Sequence, residues 1–381
     1  MTAKLRLLWL TQHYPPAAGG MALSCDRIVR HLRALGVHIT LYHLKHASPR
    51  KTTYYSDEHG CDHRVGLADN AAHGLNLLWH EVAEQSFDAV VGYGFPWAMH
   101  GARIFAAWKQ LPLLSCIRGN DFDVNILDPR RSAALMEILT ASRLVLTVSQ
   151  DKASRIKALF PQVNVANMGN GIDLSQWQPL PFDQQQATLW REQRQLQPTT
   201  RVIGLIGHLK EKKGCAFFIN ALLQQRLLES QVHLLLVGDI DSATAELLAT
   251  LPVHSWSHEP VLDRYQLPAR YLACDLVAIP SFYDGTPNVL LEAAALGIAV
   301  LGARCGGMAD LLTSANGWLF TPGDSDSLSQ ALIQWLASSP QDVSLKASRL
   351  QQLIFEQYQA EHEAKRYIKL IAETIEHLPG R

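Results

Sequence analysis

The chain lacks several features that would assign it to a specialised class of protein. No apolar run approaches the ~20 residues that a membrane-spanning helix needs. The apolar run that follows Lys4, from Leu7 to Leu10, is too short for a signal peptide. The 381 residues carry a net charge of −1, which gives no reason to expect a nucleic-acid partner. These absences favour a cytoplasmic protein without a membrane span.

Charge of either sign is in little excess along the chain. The first 177 residues contain 18 basic and 14 acidic residues, whereas the remainder contains 16 and 21. A slight basic excess suits contact with an anionic membrane surface. One interpretation is that the amino-terminal domain attaches peripherally to the inner face of the cell membrane. The other is that the charges of the two surfaces differ by chance.

Cysteine is scarce, and its spacing points to no metal site. The six cysteines have no Cys-x-x-Cys pair, which favours reduced thiols over a disulfide framework or a zinc site. His59, Cys61 and His63 form the only compact group of soft ligands, and they lie in segment 43–70. That segment is polar and without periodicity, so it predicts a long loop. We expect no metal and no cofactor.

The chain does have a regular alternation of apolar runs and helical patterns. Runs such as 5–10, 89–93 and 113–116 predict buried strands, and helical spacing separates them. This alternation predicts an α/β protein with doubly wound parallel sheets. A length of 381 residues with 48% hydrophobic residues also favours two domains.

A change of composition marks the predicted domain boundary. Residues 176–200 are rich in glutamine and proline and predict a linker. The first predicted domain is then 1–175. The second, 201–357, begins with the apolar run from Val202 to Ile206.

The most informative stretch is Pro280–Glu292. It follows a short apolar run and precedes a helical pattern, with Thr286 as the predicted N-cap. Asp284 then lies in the loop at the carboxyl end of a strand, and Glu292 lies about two turns into the helix. Because a helix start offers free N–H groups, it suits phosphate and sugar oxygens. Two carboxylates beside such a start are typical of a site for a nucleotide sugar.

Polar loops also follow other predicted strands. Gly19-Gly20 follow the first strand, Arg118-Gly119-Asn120-Asp121 follow a later one, and Gly207-His208 with Lys213-Gly214 follow the strand that begins the second domain. Ligands bind outside the carboxyl ends of strands in such sheets. Taken alone, each of these loops also fits an ordinary turn or helix cap.

Together these landmarks resemble the family 4 retaining glycosyltransferases of the GT-B fold. The family's Glu-x₇-Glu pattern corresponds to Asp284-x₇-Glu292, and Asn170–Asp173 and Gly306-Gly307 match further landmarks in the expected order. The resemblance implies two Rossmann-like domains that face a central cleft. It also implies a carboxyl-terminal helix within 358–381 that packs back on the amino-terminal domain, and chemistry without an obligatory metal.

The resemblance also implies a role for each matched residue. It assigns catalytic roles to Asp284, Glu292, Lys213 and Asp121, and acceptor-side roles to Arg118, Asn120 and Asp121. Donor-binding residues would be Gly19, Gly20, His208, Lys213, Gly285, Thr286, Pro287, Asn288, Val289 and Glu292. His208 stands where the family has arginine, and Asp284 stands where it has glutamate.

The implied function is transfer of a sugar, with retention, from a nucleotide-diphosphate sugar to a glycan or lipid-linked acceptor. The family's common roles suggest cell-surface polysaccharide or glycolipid synthesis. One alternative is a nucleotide-sugar epimerase or phosphorylase on the same fold. The other is a non-catalytic GT-B binding subunit, which the replacements at His208 and Asp284 motivate.

Overall fold

The computed structural model describes residues 5–17, 19–46, 51–67, 71–229 and 231–376, which form two compact units. Unit 1 comprises Met1–Gly171 and Ala360–Arg381, and unit 2 comprises Ile172–Gln359. Each unit contains one sheet, and helices connect most of its successive strands. The prediction of two Rossmann-like parallel-sheet domains is confirmed.

Unit 1 contains an eight-stranded sheet of order β3-β4-β2-β1-β5-β6-β7-β8, in which only the β3–β4 pairing among the described strands is antiparallel. Its elements are β1 (Arg6–Thr11), α1 (Gly20–Ala34), β2 (His38–Lys45), β3 (Lys51–Asp57), β4 (Gly60–Gly66), α2 (Ala71–Glu84), β5 (Ala89–Tyr93), α3 (Trp97–Lys109), β6 (Leu113–Ile117), α4 (Asn120–Asp123), α5 (Ser132–Ala141), β7 (Leu144–Thr147), α6 (Gln150–Leu159), β8 (Val165–Asn167) and, at the end of the chain, α15 (Ala360–Glu376).

Unit 2 contains a six-stranded parallel sheet of order β11-β10-β9-β12-β13-β14. Its elements are α7 (Pro181–Gln193), β9 (Arg201–Ile206), α8 (Cys215–Gln224), β10 (Val232–Val237), α9 (Ser242–Leu248), β11 (Trp256–Glu259), α10 (Leu267–Leu272), β12 (Leu276–Ile279), α11 (Asn288–Ala295), β13 (Val300–Ala303), α12 (Gly306–Leu311), β14 (Trp318–Phe320), α13 (Ser325–Ala337) and α14 (Pro340–Gln357).

Several strands are mostly apolar and buried along their whole length because helices cover both faces of each sheet. In β10 every residue is buried, and the same is true of β5, β7 and β12. A run of this kind is a strong sequence signal, and the alternation of strands and helices was predicted correctly for this reason.

The prediction of a loop over 43–70 was wrong. The segment contains the end of β2 and the strands β3 and β4, while 47–50 and 68–70 lie outside the described residues. Strand β3 is an edge strand that is mostly exposed, so it has no alternating apolar pattern to reveal it. Its Thr52-Thr53-Tyr54-Tyr55 run was the available signal, since β-branched and aromatic residues favour strands.

The predicted linker, 176–200, lies within unit 2 and contains α7. Pro181 stands at the start of this helix, where a backbone N–H would have no partner within the helix and its absence therefore costs nothing. Trp190 is only 2% exposed, and its indole N–H donates to Glu259 at 2.5 Å. One large buried side chain therefore anchors a helix whose polar composition resembles that of a linker.

The last helix, α15, belongs to unit 1 and packs against α1. Ala364, Tyr367 and Ile371 of α15 share a buried apolar cluster with residues of α1 and β1. Beside them, Arg27 of α1 forms a buried ion pair with Glu363 at 3.0 Å. Among the described residues, none of the helices has the length and apolar character that crossing a membrane requires.

We predict that Trp190→Ala lowers the free energy of unfolding by about 3–5 kcal/mol, because it empties a large buried volume. Phe182→Ala, in the same helix, is the matched control, since Phe182 is 63% exposed. We expect the control to remain within about 0.5 kcal/mol of the parent. Urea unfolding followed by circular dichroism measures both, and equal effects would show that α7 does not contribute to the core.

Candidate functional site

Three loops of unit 2 leave the same edge of its sheet. They follow β9, β12 and β13, which are neighbours in the sheet and run parallel. Parallel strands end at one edge, so residues 207–214, 280–287 and 304–305 lie at the same edge. This edge contains the unit 2 residues that the sequence singled out.

The loop after β9 packs on the loop after β12 through backbone atoms. The N–H of Phe282 donates to the carbonyl of Lys212 at 2.9 Å. Gly214 has a φ of +67°, and a Cβ placed there would lie 2.2 Å from the carbonyl oxygen of Pro280. Only glycine satisfies both conditions. The contact fixes Lys213, which precedes this glycine, against the second loop.

Helix α12 packs on the same second loop equally closely. The N–H of Gly307 donates to the carbonyl of Gly285 at 2.7 Å. A Cβ on Gly307 would lie 1.8 Å from the Thr286 hydroxyl oxygen. The paired glycines that the sequence singled out thus allow the backbones to approach. Asp310, which follows on the same helix, is exposed.

Asp284 is held ionised at the centre of these loops. Its carboxylate forms an ion pair with Lys213, lies 3.9 Å from the Lys212 ammonium, and accepts a hydrogen bond from the Gly285 N–H at 2.9 Å. Burial would raise the pKa of Asp284, but the two ammonium groups outweigh it and lower that pKa below its ordinary value. The structure therefore brings together the predicted lysine and the first predicted carboxylate.

Helix α11 begins later than the sequence predicted. Its first residue is Asn288 and its N-cap is Pro287, with no side-chain cap, so the expectation that Thr286 is the N-cap was wrong. Thr286 is instead buried against Gly307. Val289, in the first turn, lies 3.6 Å from a Cβ placed on Gly207. The helix start therefore lies beside the loop after β9.

Glu292 lies on α11 and accepts a hydrogen bond from the Tyr271 hydroxyl at 2.6 Å. Tyr271 is fully buried on α10, and burial together with the Glu292 carboxylate raises the pKa of its hydroxyl well above the ordinary value. The hydroxyl therefore stays protonated at neutral pH, and its hydrogen bond orients Glu292. Tyr271 was not recognised from the sequence, where its only signal was a hydroxyl within the mostly apolar segment 267–272.

His208 occupies the exposed side of the loop after β9. Its side chain is 43% exposed, and its Nδ1 lies 3.3 Å from a carboxylate oxygen of Asp239. The two loops are joined here, since the Leu209 N–H donates to the carbonyl of Asp239 at 2.8 Å. His208 thus lies at the same sheet edge as Lys213 but contacts a different carboxylate.

In unit 1, Asp121 joins two loops. Its carboxylate accepts hydrogen bonds from the backbone N–H of Phe95 at 3.1 Å and of Arg118 at 3.0 Å, and the residue is 4% exposed. This arrangement connects the loops that follow β5 and β6. Two backbone donors account for both carboxylate oxygens, which indicates a positioning role.

The remaining predicted residues of unit 1 divide into buried and exposed groups. The Arg118 guanidinium is buried and donates to the Asn170 side chain at 2.6 Å. Asn120 is exposed at the start of α4, and Gly19 and Gly20 form the start of α1, with Gly20 exposed. Asn120 and the start of α1 are thus open to solvent, whereas the buried Arg118 holds the loop after β6 through its contact with Asn170.

The described residues contain no group of three or more histidine, cysteine, aspartate or glutamate side chains arranged to hold a metal ion. Cys61 and His63 do contact each other, at 3.0 Å between Sγ and Nε2, but the other ring nitrogen of His63 lies 2.8 Å from the Thr53 hydroxyl. The six cysteines, all within the described ranges, form no disulfide bond.

Two relatives share sequence with the chain over different lengths. A GDP-mannose-dependent monoacylated alpha-(1-6)-phosphatidylinositol monomannoside mannosyltransferase of Corynebacterium glutamicum is 27% identical over 55% of this chain, and the match spans only about half of that relative, 56%. The putative teichuronic acid biosynthesis glycosyltransferase TuaC of Bacillus subtilis is 23% identical over 87% of this chain and 89% of its own.

Solved structures share the fold along almost the whole chain. A sucrose-phosphate synthase from Thermosynechococcus elongatus superposes with a TM-score of 0.79 at 17% identity, over 98% of this chain and 100% of the other. Anabaena HepE, in complex with UDP and glucose, superposes with a TM-score of 0.75 at 19% identity, over 97% of this chain and 100% of HepE. Residues 200–338 match the family model described as "Glycosyl transferases group 1". The chain therefore has the GT-B fold, and its residues 200–338 resemble the group 1 glycosyl transferases.

Proposed function

We propose that the protein is a retaining glycosyltransferase that moves a sugar from a nucleotide-diphosphate sugar to a glycan or lipid-linked acceptor. The observation that carries the proposal is the ion pair between Lys213 and Asp284 at the sheet edge where α11, the helix that carries Glu292, begins. We further propose that it acts in cell-surface polysaccharide or glycolipid synthesis, in the cytoplasm or peripherally at the inner face of the membrane. Its free thiols support a reducing compartment.

Departure of a nucleoside diphosphate leaves negative charge on an oxygen that cations and N–H groups must stabilise. Lys213 supplies an ammonium group, and the first turn of α11 supplies backbone N–H groups at the positive end of the helix. The ammonium is now shared with Asp284, so a bound diphosphate would compete with that carboxylate for it. These groups provide positive potential without a metal or cofactor.

The two carboxylates have different tasks in this proposal. Glu292, oriented by Tyr271, accepts hydrogen bonds from the ribose hydroxyls of the donor. Asp284 stays ionised beside Lys213 and contacts the donor sugar close to the reacting carbon. His208 contributes a weaker contact to the diphosphate than an arginine would, because it lacks a bidentate fork.

Unit 1 binds the acceptor in this proposal. Asn120 is the exposed member of the predicted acceptor-side group and contacts the acceptor, while Asp121 and Arg118 hold its loop in place. Gly19 and Gly20 open α1 with backbone N–H groups that suit donor oxygens. The names of the relatives support this substrate pair, since one uses GDP-mannose on a phosphatidylinositol mannoside and HepE binds UDP and glucose.

A thermal-shift panel of nucleotide sugars, followed by turnover assays, tests the proposed function. A ligand at 100 times its dissociation constant stabilises the folded protein by ~2.7 kcal/mol. We expect one donor to stabilise the protein and to release nucleoside diphosphate faster when its acceptor is added. Release that no acceptor accelerates would favour an epimerase or phosphorylase, and binding with no turnover would favour a non-catalytic subunit.

We predict that Lys213→Ala and Glu292→Ala each lower kcat/KM at least ~100-fold, the scale for losing one key electrostatic contact. Lys210→Ala is the matched control, because Lys210 is exposed on the same loop. Initial rates with the stabilising donor measure all three. Near-normal rates for both site variants would remove these residues from the active site.

We predict that Tyr271→Phe weakens nucleoside diphosphate binding about tenfold, because a hydrogen bond to a carboxylate contributes ~1.5–3 kcal/mol. Phenylalanine keeps the buried ring, so the fold should be retained. Calorimetric titration with the preferred nucleoside diphosphate measures the change, and circular dichroism checks the fold. Unchanged affinity in a folded variant would show that Tyr271 does not orient Glu292 for binding.

A further inference from the structure

A row of basic side chains crosses the carboxyl end of β2 and β4 in unit 1. The strand register pairs His43 with Thr11 of β1 on one side and with Arg64 of β4 on the other. Paired residues of parallel strands point to the same face of a sheet. Lys45, two residues after His43, points to that face as well and pairs with Gly66, which has no side chain to cover it. We call Lys45, Arg64 and His43 the basic row.

The basic row lies on the face that α1 covers. Asp62, two residues before Arg64 on the same face, accepts a hydrogen bond from Arg33 of α1 at 2.6 Å. Thr11 lies 3.8 Å from the Sγ of Cys25, in the second turn of α1. The row therefore lies at the end of the sheet where α1 begins.

The two permanent cations of the row have no ion-pair partner among the residues that the structure describes. The nearby acids are already paired, since Asp62 binds Arg33 at 2.6 Å and Asp26 binds Arg30 at 2.9 Å. The Arg64 guanidinium lies over the Tyr54 ring at 4.3 Å, but its Nε is buried without a hydrogen-bond partner in the described chain. Two adjacent cations without a carboxylate favour an anion.

His43 provides an independent indication of a ligand. It is 1% exposed, and its Nδ1 has no hydrogen-bond partner within the described ranges. Burial, together with the charges of Lys45 and Arg64, lowers the pKa of His43 to about 4, so the imidazole is neutral at pH 7. Buried polar atoms are normally satisfied. A group that hydrogen-bonds to this nitrogen would complete the site.

We propose that the basic row binds a phosphate group carried by the acceptor. A phosphate has enough oxygens to contact Lys45 and Arg64 together, and a hydroxyl beside it can bond to the His43 nitrogen. A neutral glycan would leave two adjacent cations uncompensated. The inference rests on the proposed function, because it assumes that unit 1 binds the acceptor. The acceptor is thus a phosphate ester, either free in solution or as the headgroup of a lipid.

Two binding arms distinguish these sources. In the first, glycerol 3-phosphate is titrated calorimetrically into the full chain, with glycerol as the neutral counterpart. In the second, sedimentation measures binding to phosphatidylcholine vesicles with and without 30% phosphatidylglycerol, a composition on the order of that of an anionic leaflet. Selective binding in the first arm indicates a soluble ester, and binding confined to the second indicates a lipid.

The expected result is that Lys45→Gln/Arg64→Gln weakens the selective binding at least ~10-fold, since each charge-assisted contact contributes substantially. Arg155→Gln/Lys369→Gln is the matched control, because it removes the same two charges from exposed positions of unit 1. Arg64→Lys retains the charge and should restore part of the affinity relative to Arg64→Gln. Circular dichroism confirms that each variant is folded.

The inference is overturned if the parent prefers neither phosphate probe to its neutral counterpart, or if the double variant binds like the control. Titration with nucleoside diphosphate is run in parallel and separates this outcome from failure of the proposed function. Retained nucleotide binding with no phosphate selectivity would reject the basic row alone. If neither the parent nor any variant binds a nucleoside diphosphate, the proposed function itself is rejected.

Discussion

The candidate donor site depends on the close approach of three backbones at one edge of the unit 2 sheet. Gly214 and Gly307 each occupy a position where a Cβ would overlap an atom of the 280–286 segment. Backbone hydrogen bonds of 2.9 and 2.7 Å then join the neighbouring loops to Phe282 and Gly285. Because these contacts are made by the main chain, the positions of Lys213 and Asp284 do not depend on flexible side-chain packing.

Each carboxylate of the site is held by a neighbouring side chain, Asp284 by an ion pair and Glu292 by a hydrogen bond. Asp284 stays ionised because ammonium groups outweigh the effect of its burial. Glu292 is oriented by a tyrosine hydroxyl that burial keeps protonated. Each carboxylate is thus positioned before a ligand arrives, which lowers the cost of ordering the site when it binds. Preorganised groups of this kind are the usual source of electrostatic catalysis.

The sequence predicted those features that local patterns determine. The buried strands were visible as apolar runs, and residues 284–292 were visible because a turn, a proline and a helical pattern occur together. Features that depend on distant contacts were missed. Tyr271 meets Glu292 only in the folded chain, through a hydrogen bond between α10 and α11. Helix α7 resembled a linker because its sequence is mostly polar, although a buried tryptophan anchors it.

In unit 1 as well, the sequence did not reveal which contacts the side chains make. Asp121 and Arg118 had the residue types of a ligand site, yet their side chains bind backbone N–H groups and Asn170. The basic row could not be recognised from the sequence, because its members come from two strands whose register only the fold reveals. Strand β3 also escaped notice, since an exposed edge strand has no apolar pattern.

The position of α15 has a consequence for biosynthesis. Unit 1 is discontinuous in sequence, since its last helix follows all of unit 2. On the ribosome, unit 2 can therefore be complete while unit 1 still exposes the apolar surface that Tyr367 and Ile371 will cover. Until then Arg27 also lacks Glu363 as its counter-ion. The amino-terminal part of unit 1 thus reaches its native state only after residues 360–376 have been translated.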